Sequence, residues 1–277
     1  MSESSGAAAA GAGSATAHDR KLTFRGGGFV IEQRTWISVV AFIVLIGLWQ
    51  LATGTGLISP IFLPSPMRVL RALYDLAVTG DLWRHMSASL VRIGYGWLIG
   101  TVFGIGFGLT IGLFTVARAA GLPLVAAIFP IPKIALLPLL ILWLGIGEGS
   151  KVATIALSVF FPTAIATFSG VDSVPRNLIR MAQSFNVPLW RIVWQVLVPG
   201  ALPGMLAGFR ISIAAALLVL VAAEMIGAQY GIGAFLILTG NMMQTDRLMA
   251  GVVVVSVFGL VMSIIVSTVE RRLLRWR

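Results

Sequence analysis

Between Ile93 and Ala117 the chain carries no charged side chain, and the same holds for Trp36 to Ala52, Val152 to Val171 and Leu248 to Val269. Runs of this kind restrict the fold more than any other feature, because about 20 apolar residues cross the hydrocarbon layer of a bilayer as a helix. Two further runs nearly qualify. Ala119 to Gly147 is interrupted only by Lys133, and Pro203 to Gly227 is apolar apart from Arg210 and Glu224 near its ends. Inside lipid every backbone polar group needs an internal partner, so these runs predict an all-α membrane protein with six transmembrane helices. Composition agrees: 11% of residues are charged, against about 25% in soluble domains, and 58% are hydrophobic.

Ile192 to Phe209 is also uncharged, but Pro199 and Pro203 are expected to break it, so it is not read as a seventh span. Residues 1–30 are expected to form a disordered cytoplasmic tail and residues 31–277 the membrane domain. The tail begins with Ala, Gly, Ser and Thr from Met1 to Asp19, too little apolar surface to offset chain entropy, and it lacks the basic start and apolar core of a signal peptide.

The net charge of +10 does not gather into the stripe that nucleic acid requires; it lies between the spans and at their ends. With the N-terminus inside, the inner segments hold Arg20, Lys21, Arg25, Arg34, Arg118, Arg176, Arg180, Arg191, Arg271, Arg272, Arg275 and Arg277. The outer segments hold only Arg68, Arg71, Arg84, Arg92, Lys151 and Arg247, so both termini are expected in the cytoplasm.

Several function classes are excluded. There is no cysteine, and the two histidines, His18 and His85, lie outside the apolar runs, so no thiolate metal site and no nucleophile, base and orienter can be assembled in the membrane. No enzyme activity, metal or cofactor is expected. The stretch Gly145 to Lys151, GIGEGSK, loosely follows a phosphate-binding loop, but Ser150 separates Gly149 from Lys151 and the stretch falls on the outer side; it reads as a turn. ATP hydrolysis, if it drives this protein, belongs to a partner.

Gly96, Gly100, Gly104, Gly108 and Gly112 recur every four residues along the second run, a row expected to let a neighbouring helix approach closely. The third run holds Pro123, Pro130, Pro132 and Pro138, so it is expected to be kinked or unwound around Lys133. Lys133, Glu224 and Arg210 are the candidates for a polar translocation pathway. For Lys133, pairing with a carboxylate or with helix carbonyls and snorkelling to the interface are the alternatives.

The segment 172–199 lies between two spans on the cytoplasmic side. Asp172 or Ser173 is expected to cap a helix with Pro175 in its first turn, ending near Asn186 before Pro188. On it Leu178, Met181, Ala182 and Phe185 fall on one apolar face, suited to a groove on a soluble partner.

Leu178-Ile-Arg-Met-Ala-Gln-Ser-Phe-Asn-Val-Pro-Leu-Trp, with Val198-Pro-Gly-Ala-Leu-Pro203 and Gly208-Phe-Arg210, resembles the cytoplasmic EAA loop of binding-protein-dependent, MetI-like ABC importer permeases. Phe62-Leu-Pro-Ser-Pro66, Ser89-Leu-Val-Arg92, Pro132-Lys-Ile-Ala-Leu-Leu-Pro138, Ile141-Leu-Trp-Leu-Gly145 and Ala222-Ala-Glu224 resemble its nitrate, sulfonate and taurine branch, most of all the aliphatic sulfonate permeases. The loop departs from the family pattern at Arg180 (Glu in the family), Met181 (Ala) and Asn186 (Gly). The resemblance implies a six-helix permease paired with a second permease subunit in a homodimer. It further implies two ABC ATPase subunits on the cytoplasmic side and an extracytoplasmic solute-binding protein on the other. Leu178, Arg180, Met181, Ala182, Phe185 and Asn186 would form the coupling helix, and the solute would be a small anion such as a sulfonate, taurine or nitrate. An ion-coupled secondary transporter or channel is the rival reading, weakened by the scarcity of intramembrane charges and the lack of a duplicated half.

Overall fold

Three helices, two of them packed on the third through glycine, form the core of the chain from Leu48 onward. In the computed structural model, which describes residues 35–56 and 58–275, these are α3, α6 and α9. In chain order the helices are α1 (Thr35–Gly54), α2 (Pro66–Thr79), α3 (Asp81–Leu113), α4 (Thr115–Ile128), α5 (Leu137–Leu144) and α6 (Glu148–Asp172). After them come α7 (Arg176–Ser184), α8 (Leu189–Ile192), α9 (Val198–Met225), α10 (Ile232–Asn241) and α11 (Thr245–Leu273). No strand occurs among the described residues. The tail expected over residues 1–30 lies outside them.

Among the described residues, five helical stretches are long and apolar enough to cross a membrane, and α4 with α5 makes a sixth when the bent pair is taken as one span. The chain divides into two units, Met1–Gly47 and Leu48–Arg277. The described part of the first is the start of α1, whose Trp36, Val39, Phe42 and Ile43 are exposed, as lipid contact requires. Everything below concerns the second.

The glycine row on α3 faces α6. A Cβ placed on Gly104 would lie 2.8 Å from the Phe160 carbonyl oxygen, and one on Gly108 would lie 2.6 Å from that of Ala164; Gly96, Gly100 and Gly112 meet Ile155, Val159 and Val171. A Cβ on Gly170 of α6 would lie 2.7 Å from the Ala201 carbonyl oxygen of α9, and Gly204 and Gly208 approach Gly170 and Ala166. Without a hydrophobic drive in lipid, such backbone approach is what holds helices together. Ile93, Ile155, Val159, Ile213, Ala216 and Leu220 fill the core between the three helices.

Gly106, in contrast, faces open space. Gly104→Leu is therefore expected to force α3 from α6 at a cost of about 1–3 kcal/mol or more, while Gly106→Leu is tolerated. Thermal unfolding in detergent checks this, and equal midpoints for the two variants would contradict it.

Three sequence expectations change, and the kink expected in the third run is found. α3 begins at Asp81 rather than near Ile93, because Arg92 is neutralised within the protein and does not end the helix. The third run is two helices bent by 89° at the break between Ile128 and Lys133, with Pro130 and Pro132 in the break and Pro138 in the first turn of α5. Pro199 and Pro203 do not break their helix; Leu189–Met225 is continuous. A π turn over Val193–Leu197 precedes them, with the Val198 N–H bonded to the Val193 carbonyl, and Pro199 follows where the ring need not displace a regular helical bond. Finally, α10 occupies chain that the apolar runs leave as a loop. It is apolar but only ten residues long, about half the length of a span.

Candidate functional site

Three local arrangements lie along α6, one at each end and one at its middle. Its length of 25 residues puts the ends about 36 Å apart at ~1.5 Å per residue.

At its C-terminal end the chain turns into α7. The expected capping by Asp172 or Ser173 is not observed. Asp172 closes α6 and pairs with Arg118 of α4 at 2.9 Å, and the Ser173 hydroxyl donates to the Gly170 carbonyl. Pro175 occupies the cap position instead, with no side-chain cap bond; its fixed φ suits the chain for helix entry. The other end closes as a Schellman motif: Asn186 is left-handed at φ 54°, the Val187 N–H donates to the Ala182 carbonyl and the Asn186 N–H to that of Gln183.

α7 rests on its own chain through Ile179 and Ala182, which pack on Val171, Val174, Ile192, Leu197, Ala201 and Met205. Ala182 therefore belongs to the seated side. The outward apolar face is Leu178, Met181 and Phe185, of which Met181 is 57% and Phe185 75% exposed. Arg180 is exposed and forms no ion pair among the described residues.

At mid-helix, Phe161 of α6 faces the break between α4 and α5. The Lys133 ammonium donates to the carbonyls of Ile128, Phe129 and Ile131 at 3.1, 2.6 and 2.8 Å and lies 4.6 Å from the Phe161 ring centroid. It caps the freed carbonyls of an unwound span, and Glu224, the carboxylate that lies within the apolar runs, is engaged elsewhere. Lys133→Met is expected to strand those carbonyls, at about 1–3 kcal/mol for an unsatisfied group. A melting temperature equal to wild type would contradict that role. Arg210 is tied to α11, donating to the Glu270 carboxylate and to the Ser267 hydroxyl at 3.4 Å.

The N-terminal end of α6 holds a buried polar cluster. The Glu224 carboxylate accepts from the Ser89 hydroxyl at 2.7 Å, from Arg92 Nη1 at 2.7 Å and from the Gly233 N–H at 2.9 Å. Arg92 also donates to the Tyr230 carbonyl, and through Nε and Nη2 it grips both oxygens of Glu148. The Ser89 hydroxyl oxygen accepts from the Ile232 N–H, and His85 Nδ1 lies 3.1 Å from the Gly231 nitrogen. Three consecutive amides at the start of α10 thus meet side chains of α3 and α9. Backbone ending inside the membrane is tolerated only when satisfied in this way.

His85, Ser89, Arg92, Glu148 and the buried Lys151, whose ammonium donates to the Gly147 carbonyl at 3.0 Å, are absent from the sequence candidates because they lie outside or at the edge of the apolar runs. A signal existed: His85, Ser89, Arg92 and Gly96 follow one another by four, three and four residues, one stripe of a helix.

Residues 100–275 match the family described as binding-protein-dependent transport system inner membrane component. The taurine transport system permease protein TauC of Escherichia coli (strain K12) is 35% identical, covering 94% of this chain and 95% of its own. The putative aliphatic sulfonates transport permease protein SsuC of Bacillus subtilis (strain 168) is 33% identical over 84% of this chain and 85% of its own. Among solved structures, an inward-facing conformation of the MetNI methionine ABC transporter matches with a TM-score of 0.59 at 18% identity, over 71% of this chain and 95% of that chain.

Proposed function

Because the chain belongs to the family of binding-protein-dependent transport system inner membrane components, and is thus a permease of an ABC importer of that type, we propose that it carries a small sulfonate, taurine first among them, into the cytoplasm under the drive of a separate ATPase. The observation that carries the coupling role is α7. A short helix standing beyond the last turn of a long span, seated by Ile179 and Ala182 and offering Leu178, Met181 and Phe185 outward, fits a groove on a soluble partner.

In this reading two ATPase subunits receive α7 from each of two copies of the permease, and a solute-binding protein delivers solute at the end of α6 that carries Glu148. The end with α7 faces the cytoplasm. α6 packs against α3 and α9 through glycine along its length, so it moves as a rod; a displacement of α7 reaches the polar cluster about 36 Å away as a rigid-body rotation. The taurine and aliphatic sulfonate relatives support the solute class. Nitrate remains the competing anion.

The test is uptake into proteoliposomes holding the chain with its ATPase and binding protein. Labelled taurine should enter only when ATP is present on the α7 side, unaffected by a proton uncoupler, with unlabelled aliphatic sulfonates competing and nitrate not. Uptake that follows an ion gradient without ATP would overturn the proposal in favour of a secondary transporter.

A further inference from the structure

At the end of the helices opposite α7, two segments far apart in sequence enclose a cleft of about 280 Å³, lined by Ile61 and Arg68 on one side and by Met243, Asp246 and Arg247 on the other. The Thr245 hydroxyl donates to the Pro60 carbonyl at 3.3 Å and ties the two segments together. Arg210, in the first half of α9, pairs with Glu270, so the C-terminal end of α11 lies at the α7 end. α11 runs 29 residues from Thr245 to Leu273, about 42 Å at ~1.5 Å per residue. That exceeds a hydrocarbon layer of about 30 Å, so Thr245 stands on the far side of the membrane.

The lining faces water rather than lipid. Arg68 and Arg247 are exposed, make no ion pair among the described residues, and share the cleft with one acidic residue, Asp246. Unpaired charges of this kind do not face hydrocarbon. Yet Phe62, next after Ile61, is 84% exposed and Met243 is 75% exposed. Met243 also stands at φ 56°, where it closes α10: its N–H donates to the Gly240 carbonyl and that of Gln244 to the Thr239 carbonyl. Such a closure favours glycine, and a residue with a side chain is strained there. Met243 packs on none of the buried clusters, so the strain serves to present a side chain outward rather than to hold the fold.

We propose that this cleft is the docking seat of the extracytoplasmic solute-binding protein, with Ile61, Phe62 and Met243 as apolar anchors and Arg68 and Arg247 as partners for carboxylates on its surface. A binding-protein-dependent inner membrane component needs such a surface on the side away from its ATPase, and two cations beside one acid complement an acidic partner. Met, aromatic and arginine side chains together are also what protein interfaces favour. α10 joins the cleft to the Arg92 and Glu224 cluster, which holds the other end of that helix. The proposal rests on the permease reading above and adds to it where the binding protein sits.

The permease with its ATPase in proteoliposomes, titrated with taurine-loaded binding protein, tests it through the concentration that half-maximally stimulates ATP hydrolysis. Arg68→Glu combined with Arg247→Glu should raise that concentration about tenfold, with basal hydrolysis and melting temperature unchanged and the maximal rate recovered at excess. Met243→Gly separates docking from folding: glycine suits φ 56°, so the melting temperature should hold or rise while the half-maximal concentration increases several-fold. Wild-type titration curves for both variants would overturn the proposal. So would a photoreactive side chain at position 62 that gives adducts only to lipid or to a second copy of this chain, and none to the binding protein. If the wild-type complex does not respond to taurine-loaded protein, the solute assignment fails, and adducts from position 62 to the binding protein still decide the seat.

Discussion

Met181→Glu on α7 is expected to give a chain that folds, inserts and pairs normally yet loses its ATPase. Met181 is more than half exposed and packs on nothing in its own chain's buried cluster, so the fold has little to lose. In a partner groove, an unpaired carboxylate costs at least a few kcal/mol, and anchors of this kind are worth about 2 kcal/mol or more, enough to empty an interface of ordinary affinity. Co-purification of the ATPase should fall by more than about tenfold, at ~1.4 kcal/mol per decade, and uptake should disappear while the melting temperature stays. Ala182→Asp behaves differently: that residue packs on the buried cluster that holds Val171, Ile192 and Leu197, so both stability and binding should fall. Normal ATPase recovery with Met181→Glu would remove the outward face of α7 from the interface.

Glu224→Ala carries the largest expected cost in stability. It leaves the buried Arg92 with the exposed Glu148 as its sole carboxylate beside the Tyr230 carbonyl, and strips the Gly233 N–H and the Ser89 hydroxyl of their acceptor. Breaking a buried pair from one side costs about 3–5 kcal/mol. Glu148→Ala removes an exposed partner but also the acceptor of the buried Arg92 Nε and Nη2, and should cost less, about 1–3 kcal/mol. Detergent melting curves of the two variants side by side measure the difference. Similar losses in both would mean that Glu148 and Glu224 contribute alike and that burial does not distinguish them.

These residues also show what the sequence made legible. Long uncharged runs gave away the spans because lipid imposes length and apolarity on each one. The same rule truncated α3, since Arg92 reads as a loop charge until Glu148 and Glu224, 56 and 132 residues away, are brought to it by folding. α10 was hidden for a related reason: half a span is too short for any hydropathy argument, and what makes it admissible is a set of side chains on other helices. Pro199 misled because the π turn that accommodates it leaves no compositional mark, and Pro203 sits inside α9 without ending it. On α7 the brackets Pro175, Asn186 and Pro188 were readable as local chemistry, whereas the division of its apolar residues between an inner pair, Ile179 and Ala182, and an outer set was a tertiary fact.

Photocrosslinking from α7 tests the central claim most directly. A photoreactive side chain placed in turn at positions 178, 179, 181, 182 and 185 of the intact transporter, followed by irradiation and identification of the adducts, reads which face meets which partner. The account predicts adducts to the ATPase from the positions of Leu178, Met181 and Phe185, and adducts within the chain from those of Ile179 and Ala182. Adducts only to lipid from the outer positions would contradict it, leaving α7 a membrane-surface helix and the chain without its coupling element.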